Sequence, residues 1–194
     1  MVQDDTREEE QVRIFGLKAW PKKRSNTYIP DATIQINNED YEIELKTYNV
    51  ERGLVSTARN VTLNKIDGWK KVYWVFSEYE KSTKTSDGFR FTGNHYLGDK
   101  NMLKPWFDRQ REKLLEGTKT YGGLRHWRQA KKLLEGAMEQ ADIDRLDNTI
   151  CKKGGLNDPS IPRSILTEHC VKLDSRDLQG SLIRNIEHVR KNKN

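Results

Sequence analysis

The feature that most restricts the architecture of this chain is Val72-Tyr-Trp-Val-Phe76, five consecutive apolar residues. A strand with one wet face alternates apolar and polar side chains. A strand apolar at every position is covered on both faces, so this run predicts the centre of a sheet with layers on either side. Thr33-Ile-Gln-Ile-Asn37 and Tyr41-Glu-Ile-Glu-Leu-Lys-Thr-Tyr48 alternate around the turn-rich Asn37-Asn-Glu-Asp40 and read as a strand pair. Downstream, Asp87-Gly88 supplies a turn, and Phe89-Arg-Phe-Thr92 with Tyr96-Leu97 continues a meander.

Helical spacing takes over beyond Leu97. Leu103, Trp106, Phe107, Leu114 and Leu115 fit a helix closed by Gly117, and Leu124, Trp127, Leu134, Met138 and Ala141 define a second. Pro162 opens a third, with Ile165, Leu166, His169, Cys170 and Leu173 on its inner side. Leu178, Leu182, Ile186 and Val189 make a fourth, beginning near Asp174 or Ser175. Strands first and helices later, around a short sheet, predict an α+β (mixed α/β) class, and a length of 194 suits one domain over 1–194. Residues 1–12 read as a flexible or weakly helical acidic lead, neither a secretory nor a mitochondrial signal.

Charge narrows the partner class. The chain carries a formal +6, but five of the first ten residues are acidic and one is basic. Residues 11–194 therefore hold 34 bases against 24 acids. A polyanion such as nucleic acid is the leading partner, ahead of an anionic membrane, with a merely soluble surface as the plain alternative. No run of 18 apolar residues exists, which excludes a membrane-spanning helix. Cys151 and Cys170 form no zinc pattern and no disulfide framework, so a reducing cytoplasm is the expected setting.

The chemistry concentrates in Ile29-Pro-Asp-Ala-Thr33 and Glu42-Ile-Glu-Leu-Lys46. Side chains two apart on a strand share a face, so Glu42, Glu44 and Lys46 point together while Ile43 and Leu45 face the core. With Asp31 ending a neighbouring segment, Asp31 and Glu44 become two oxygen donors converging on one point, with Lys46 one step beyond. Hard oxygen ligands select Mg²⁺, and a lysine beside them can hold an attacking water. A solvated strand face with a cross-strand ion pair has the same spelling, and stands as the alternative. His95, His126, His169 and His188 are scattered, and neither a Gly-x-x-x-x-Gly-Lys phosphate loop nor a Gly-x-Ser-x-Gly elbow is present.

Pro30-Asp31 followed by Glu44-Leu45-Lys46 matches the signature of the PD-(D/E)xK nuclease superfamily, and the surrounding sequence resembles its PvuII-like type II restriction endonucleases. Those enzymes carry Tyr-Glu-Leu-Lys-Ser, then Gly-Phe-Ser-Thr-His-His-His, then Pro-Trp-Ile-Phe-Ala-Ile-Tyr. The counterparts here are Ile43-Glu44-Leu45-Lys46-Thr47, Gly53-Leu-Val-Ser-Thr-Ala-Arg-Asn60 and Tyr73-Trp-Val-Phe-Ser-Glu-Tyr79. Leu156-Asn-Asp-Pro-Ser-Ile-Pro-Arg-Ser-Ile-Leu-Thr-Glu-His169 resembles their Ile-Asn-Asn-Pro-Lys-Ile-Pro-Val-Lys-Tyr-Val-Met-Glu-His. The likeness covers roughly residues 28–107 and 154–173.

The resemblance implies a restriction-endonuclease-like core, with a central mixed sheet flanked by helices. It implies Mg²⁺-dependent hydrolysis of double-stranded DNA at a short palindrome, 5′-phosphate products, a homodimer and a companion DNA methyltransferase. Asp31 and Glu44 would hold the metal, with the carbonyl of Leu45 a further ligand, and Lys46 would position the water. Ser56, Arg59, Asn60, Asn157 and Asp158 fall where the family reads bases. Arg59 suits guanine, Asn60 adenine and Asp158 cytosine.

Departures from the family are specific. The base-reading histidines are absent, and Trp69 stands where a tyrosine approaches the scissile phosphate. Only about thirty residues precede Asp31, so the dimer contact must be rebuilt, with 176–191 or 104–150 as candidates. The stretch 104–150 is an insertion relative to the family. From Lys104 to Lys132 it holds nine bases against three acids, interleaved with Trp106, Tyr121 and Trp127. It suits a phosphate-contacting arm, or a pair of solvated helices with inward aromatics. Two other functions stay open: a non-catalytic DNA-binding protein whose acidic pair is structural, and a structure-selective or repair nuclease of the same superfamily.

Overall fold

A computed structural model of the chain describes residues 3–21, 29–58, 61, 63–120, 139 and 159–192. In chain order its elements are α1 (Gln3–Ile14), β1 (Lys18–Ala19), β2 (Ala32–Ile36), β3 (Glu39–Asn49), β4 (Leu54–Val55), α2 (Leu63–Trp69), β5 (Tyr73–Lys81) and β6 (Phe89–Gly98). They continue with α3 (Lys104–Thr120), β7 (Ile161–Pro162), α4 (Arg163–His169), β8 (Val171–Lys172) and α5 (Leu178–Lys191). The class is mixed α and β, with a central mixed sheet of six strands flanked by helices. Among the described residues no helix is long and apolar enough to cross a membrane.

The sheet runs β1-β2-β3-β5-β6-β8. Its strands pair antiparallel throughout except for β3 and β5, which run parallel, with Glu44 beside Trp74 and Lys46 beside Phe76. The β2–β3 hairpin closes on Asn37-Asn38, both at positive φ, the conformation a two-residue turn between twisted strands requires and asparagine tolerates. The apolar run of β5 lies buried from Trp74 onward, as its composition requires.

Two cores form because β5 alternates between the sheet faces. Trp74 and Phe76 join Trp69 and Ile66 of α2 and Trp106 and Phe107 of α3 on one side. Val75, with Ile43 and Leu45 of β3, joins Phe15 just after α1 and Leu182 and Ile186 of α5 on the other. The three tryptophans 69, 74 and 106 are wholly or almost wholly buried and pack edge-on or tilted, the arrangement aromatic quadrupoles favour. A second, two-stranded sheet pairs Leu54 with Pro162 and Val55 with Ile161.

Several sequence expectations need correcting. The acidic lead, expected to be flexible or weakly helical, is a packed helix: α1 lies on the sheet with Arg7 and Gln11 buried, and beyond its end the positive φ of Gly16 lets the Leu17 N–H return to the Val12 carbonyl at 2.9 Å. Gly117 does not close α3, which continues to Thr120, one glycine being a tolerable interruption within a helix. The helix after Pro162 stops at His169 because Val171–Lys172 turns extended to pair with Tyr96–Leu97. His169 is consequently exposed and Leu173 belongs to the opposite core. The last helix starts at Leu178, capped by Asp177, whose carboxylate accepts the Gly180 N–H at 3.1 Å. Asp174 instead organises the preceding turn, accepting the Arg176 N–H at 3.0 Å. The helix expected over 124–141 lies outside the described residues, Glu139 excepted.

Candidate functional site

Strand β2 begins only at Ala32, so the β3 backbone beyond Ile43 needs other partners on that side. The Asp31 N–H donates to the Ile43 carbonyl at 3.1 Å, and the next free donor, the Leu45 N–H, gives its bond to the Asp31 carboxylate at 2.8 Å. That bond aims Asp31 at β3, and buried Pro30 behind it stiffens the approach. On β3, Ile43 and Leu45 enter the core shared with α1 and α5. Glu44 and Lys46 project to the opposite face, where Trp74 and Phe76 stand on β5.

Three oxygens surround the Lys46 ammonium. Nζ lies 2.6 Å from Glu44 Oε1, 2.7 Å from the Leu45 carbonyl and 3.4 Å from Asp31 Oδ2. Glu44 is 4% exposed, so this is not a solvated strand face with an incidental ion pair. Burial alone would lower the lysine pKa, but the Glu44 and Asp31 charges and hydrogen bonds hold it above its ordinary value. The set is therefore two carboxylates and one ammonium, a net single negative charge. Its ammonium marks a point where two carboxylates and a carbonyl already converge.

That donor set fits a hard divalent cation. Mg²⁺ needs only one or two carboxylates and fills its remaining positions with water and substrate oxygens. No cluster of three or more His, Cys, Asp or Glu side chains able to hold a metal occurs among the described residues. Any ion here would thus be held by Asp31, Glu44 and the Leu45 carbonyl, without a third carboxylate.

The supports of the site come from α1. Gln11 donates its amide to the Lys46 carbonyl at 3.3 Å, to the Val75 carbonyl at 3.4 Å and to Ser77 Oγ at 2.8 Å. Arg7 donates to Thr47 Oγ1 at 3.2 Å and stacks 4.3 Å from the Tyr79 ring centre. Asp31 also lines a cavity of about 460 Å³ shared with Val12, Trp20 and Pro30.

The remaining residues singled out from sequence separate into two groups. Ser56 is exposed immediately after β4; Arg59, Asn60, Asn157 and Asp158 lie outside the described residues. The chain on either side of them is nevertheless joined: β4 pairs with β7, and Thr57 Oγ1 donates to the Pro159 carbonyl at 2.7 Å. The segments leading to 59–60 and away from 157–158 are neighbours across a hundred residues of sequence. Trp69 is wholly buried in the core, with its backbone carbonyl accepting Trp74 Nε1 at 3.1 Å. Trp106, in the basic stretch, also points inward, its Nε1 donating to the Ser160 carbonyl. Tyr121 and Trp127 lie outside the described residues.

One residue near the site carried no sequence motif. Lys65 of α2 is half-buried, its ammonium 5.2 Å from the Trp69 ring centre. Burial lowers its pKa, and the charges of Glu44, Lys46 and Asp31 all act on it. Its spacing of four from Trp69 was the available signal, since residues four apart share a helix face. The chain matches no protein-family model, and no curated protein is significantly similar to it.

Proposed function

We propose that this protein is a Mg²⁺-dependent type II restriction endonuclease, with a restriction-endonuclease-like core, that hydrolyses phosphodiester bonds of double-stranded DNA. The observation that carries the reading is the convergence of Asp31, Glu44, the Leu45 carbonyl and Lys46 on one point. That set requires a Pro-Asp segment to end just before β2, beside the β3 strand that bears Glu-x-Lys. The basic character of residues 11–194 supports a polyanionic substrate.

In this reading Asp31, Glu44 and the Leu45 carbonyl hold the ion, which supplies Lewis-acid stabilisation of charge on phosphorus. Lys46 binds and orients the attacking water and keeps positive charge beside the phosphate as negative charge develops. The buried Trp74 and Phe76 floor beneath Glu44 and Lys46 restricts bulk water, which strengthens each electrostatic contact. Gln11 and Arg7 fix the backbone and neighbour of Lys46, so the lysine swings on an anchored strand. The products carry 5′-phosphates, the site cut is a short palindrome, and two copies of the chain act together. Ser56, Arg59, Asn60, Asn157 and Asp158 are the proposed base-reading residues.

The test is digestion of mixed plasmid DNA in Mg²⁺. Wild-type protein should give discrete fragments that vanish on chelation, and Lys46→Ala should bind the same DNA but lower cleavage by about a hundred- to a thousandfold, the weight of a preorganised electrostatic group. Intact DNA with wild-type protein would favour a purely binding role. Cleavage confined to branched DNA would favour a repair nuclease.

A further inference from the structure

Lys65 lies outside the residues that the nuclease motif marks, yet the fold brings it to them by a fixed route. Its ammonium stands 5.2 Å from the Trp69 ring centre, and that ring packs edge-on against Trp74 at 5.2 Å. Trp74 neighbours Glu44 across the parallel strands and carries the Lys46 ammonium 5.9 Å from its own ring centre. Two lysines therefore bracket a pair of wholly buried indoles whose relative position is locked by the Trp74 Nε1 to Trp69 carbonyl bond. Lys65 is close enough to Asp31, Glu44 and Lys46 for each charge to act on it.

Charge balance suggests what a second ammonium does there. Asp31 and Glu44 contribute two negative charges and Lys46 one positive, leaving the trio negative. A phosphodiester brings another negative charge, and a hydroxide nucleophile a second, against the two positive charges of a divalent ion. Lys65 is the group that returns this sum to zero. A half-buried cation held over an aromatic ring is well suited to a phosphate oxygen.

We propose that Lys65 is a substrate-positioning residue that takes a non-bridging oxygen of the phosphodiester bound at the Asp31–Glu44–Lys46 site. The inference rests on the nuclease reading above and adds a contact that reading does not include. The Lys65 ammonium lies over the Trp69 ring, so Lys65→Met removes the charge while keeping an unbranched side chain of similar length, and Lys65→Arg keeps the charge.

The experiment measures DNA affinity against KCl concentration in Mg²⁺, in a Lys46→Ala background so that DNA stays intact. Removing one phosphate contact should reduce the slope of log affinity against log salt by about 0.9. Lys65→Met should show that reduction together with weaker binding, and Lys65→Arg should restore the parental slope. A merely structural lysine would leave the slope unchanged, since slope counts displaced counterions rather than fold stability. An unchanged slope in Lys65→Met, with wild-type protein still cutting DNA, would overturn the Lys65 assignment alone. Wild-type protein that leaves DNA intact would overturn the nuclease reading and this contact with it.

Discussion

Burying Glu44 against Lys46 takes two charges out of water, and their attraction repays that loss only while both are present. The pair is thus poor material for stability. Lys46→Met should lower the unfolding free energy by about 3 kcal/mol, because it strands a desolvated carboxylate. Adding Glu44→Gln should recover most of that loss, since a neutral amide beside an apolar side chain leaves no uncompensated charge. Urea unfolding at neutral pH without divalent ions checks both, and a double variant no more stable than Lys46→Met would show that Glu44 is not the stranded group. The shared face of Glu44 and Lys46 was legible in sequence because period-two alternation assigns faces without any knowledge of tertiary structure, whereas Asp31 precedes β2 and its approach to them depends on the β2–β3 pairing. Lys65 was only partly legible: its spacing of four from Trp69 puts both on one helix face, but its nearness to Glu44 depends on where α2 lands against β3 and β5.

Elements show the same division. The strand pair, the buried β5 and the described helices α3, α4 and α5 followed from apolar spacing, whereas α1, acidic and thinly apolar, is expected only as a flexible or weakly helical lead. Polar contacts help dock it beside Val12 and Ile14: Gln11 donates to Ser77, and Ser77 meets His95 Nδ1 at 2.9 Å, all three side chains buried. Pattern reading scores such residues as solvent-facing and so misses the helix they anchor. The β4–β7 pairing was equally hidden, since nothing local links Val55 to Ile161. The buried chain also makes stability depend on pH. Burial pushes His95 down to about 4, while an unfolded histidine takes its proton near 6.5. Between those values the unfolded state binds more protons, so stability falls as pH falls from about 6.5 towards 4, at up to about 1.4 kcal/mol per unit. Above that window the group contributes no pH dependence. Replacing it by His95→Gln should make the stability difference between wild type and variant shrink over the same window, measured by thermal or urea unfolding. A difference that stays constant from pH 7 to 4.5 would show that His95 titrates normally.

At the scale of the whole molecule, one chain offers one Asp31–Glu44–Lys46 set, which under the proposed nuclease activity would hydrolyse one strand per encounter. A palindrome presents its two scissile bonds related by a two-fold axis, so a pair of chains sharing that axis cuts both strands without releasing the duplex. The contact cannot use the apolar stripe of α5, because Leu182, Ile186 and Val189 are already buried within the chain. Of the two dimerisation candidates, that helix has only its polar side to offer, with Arg184, His188 and Arg190 exposed. Sedimentation equilibrium should return about twice the chain mass of 22.7 kDa. Supercoiled plasmid should then pass to linear form with little open circle. Co-refolding wild type with an excess of Lys46→Ala leaves most wild-type chains in dimers with one competent site, so open circle should accumulate in proportion to the mixed population. A monomeric enzyme would instead give open circle with wild type alone, and the inactive chains would slow the reaction without changing its intermediates.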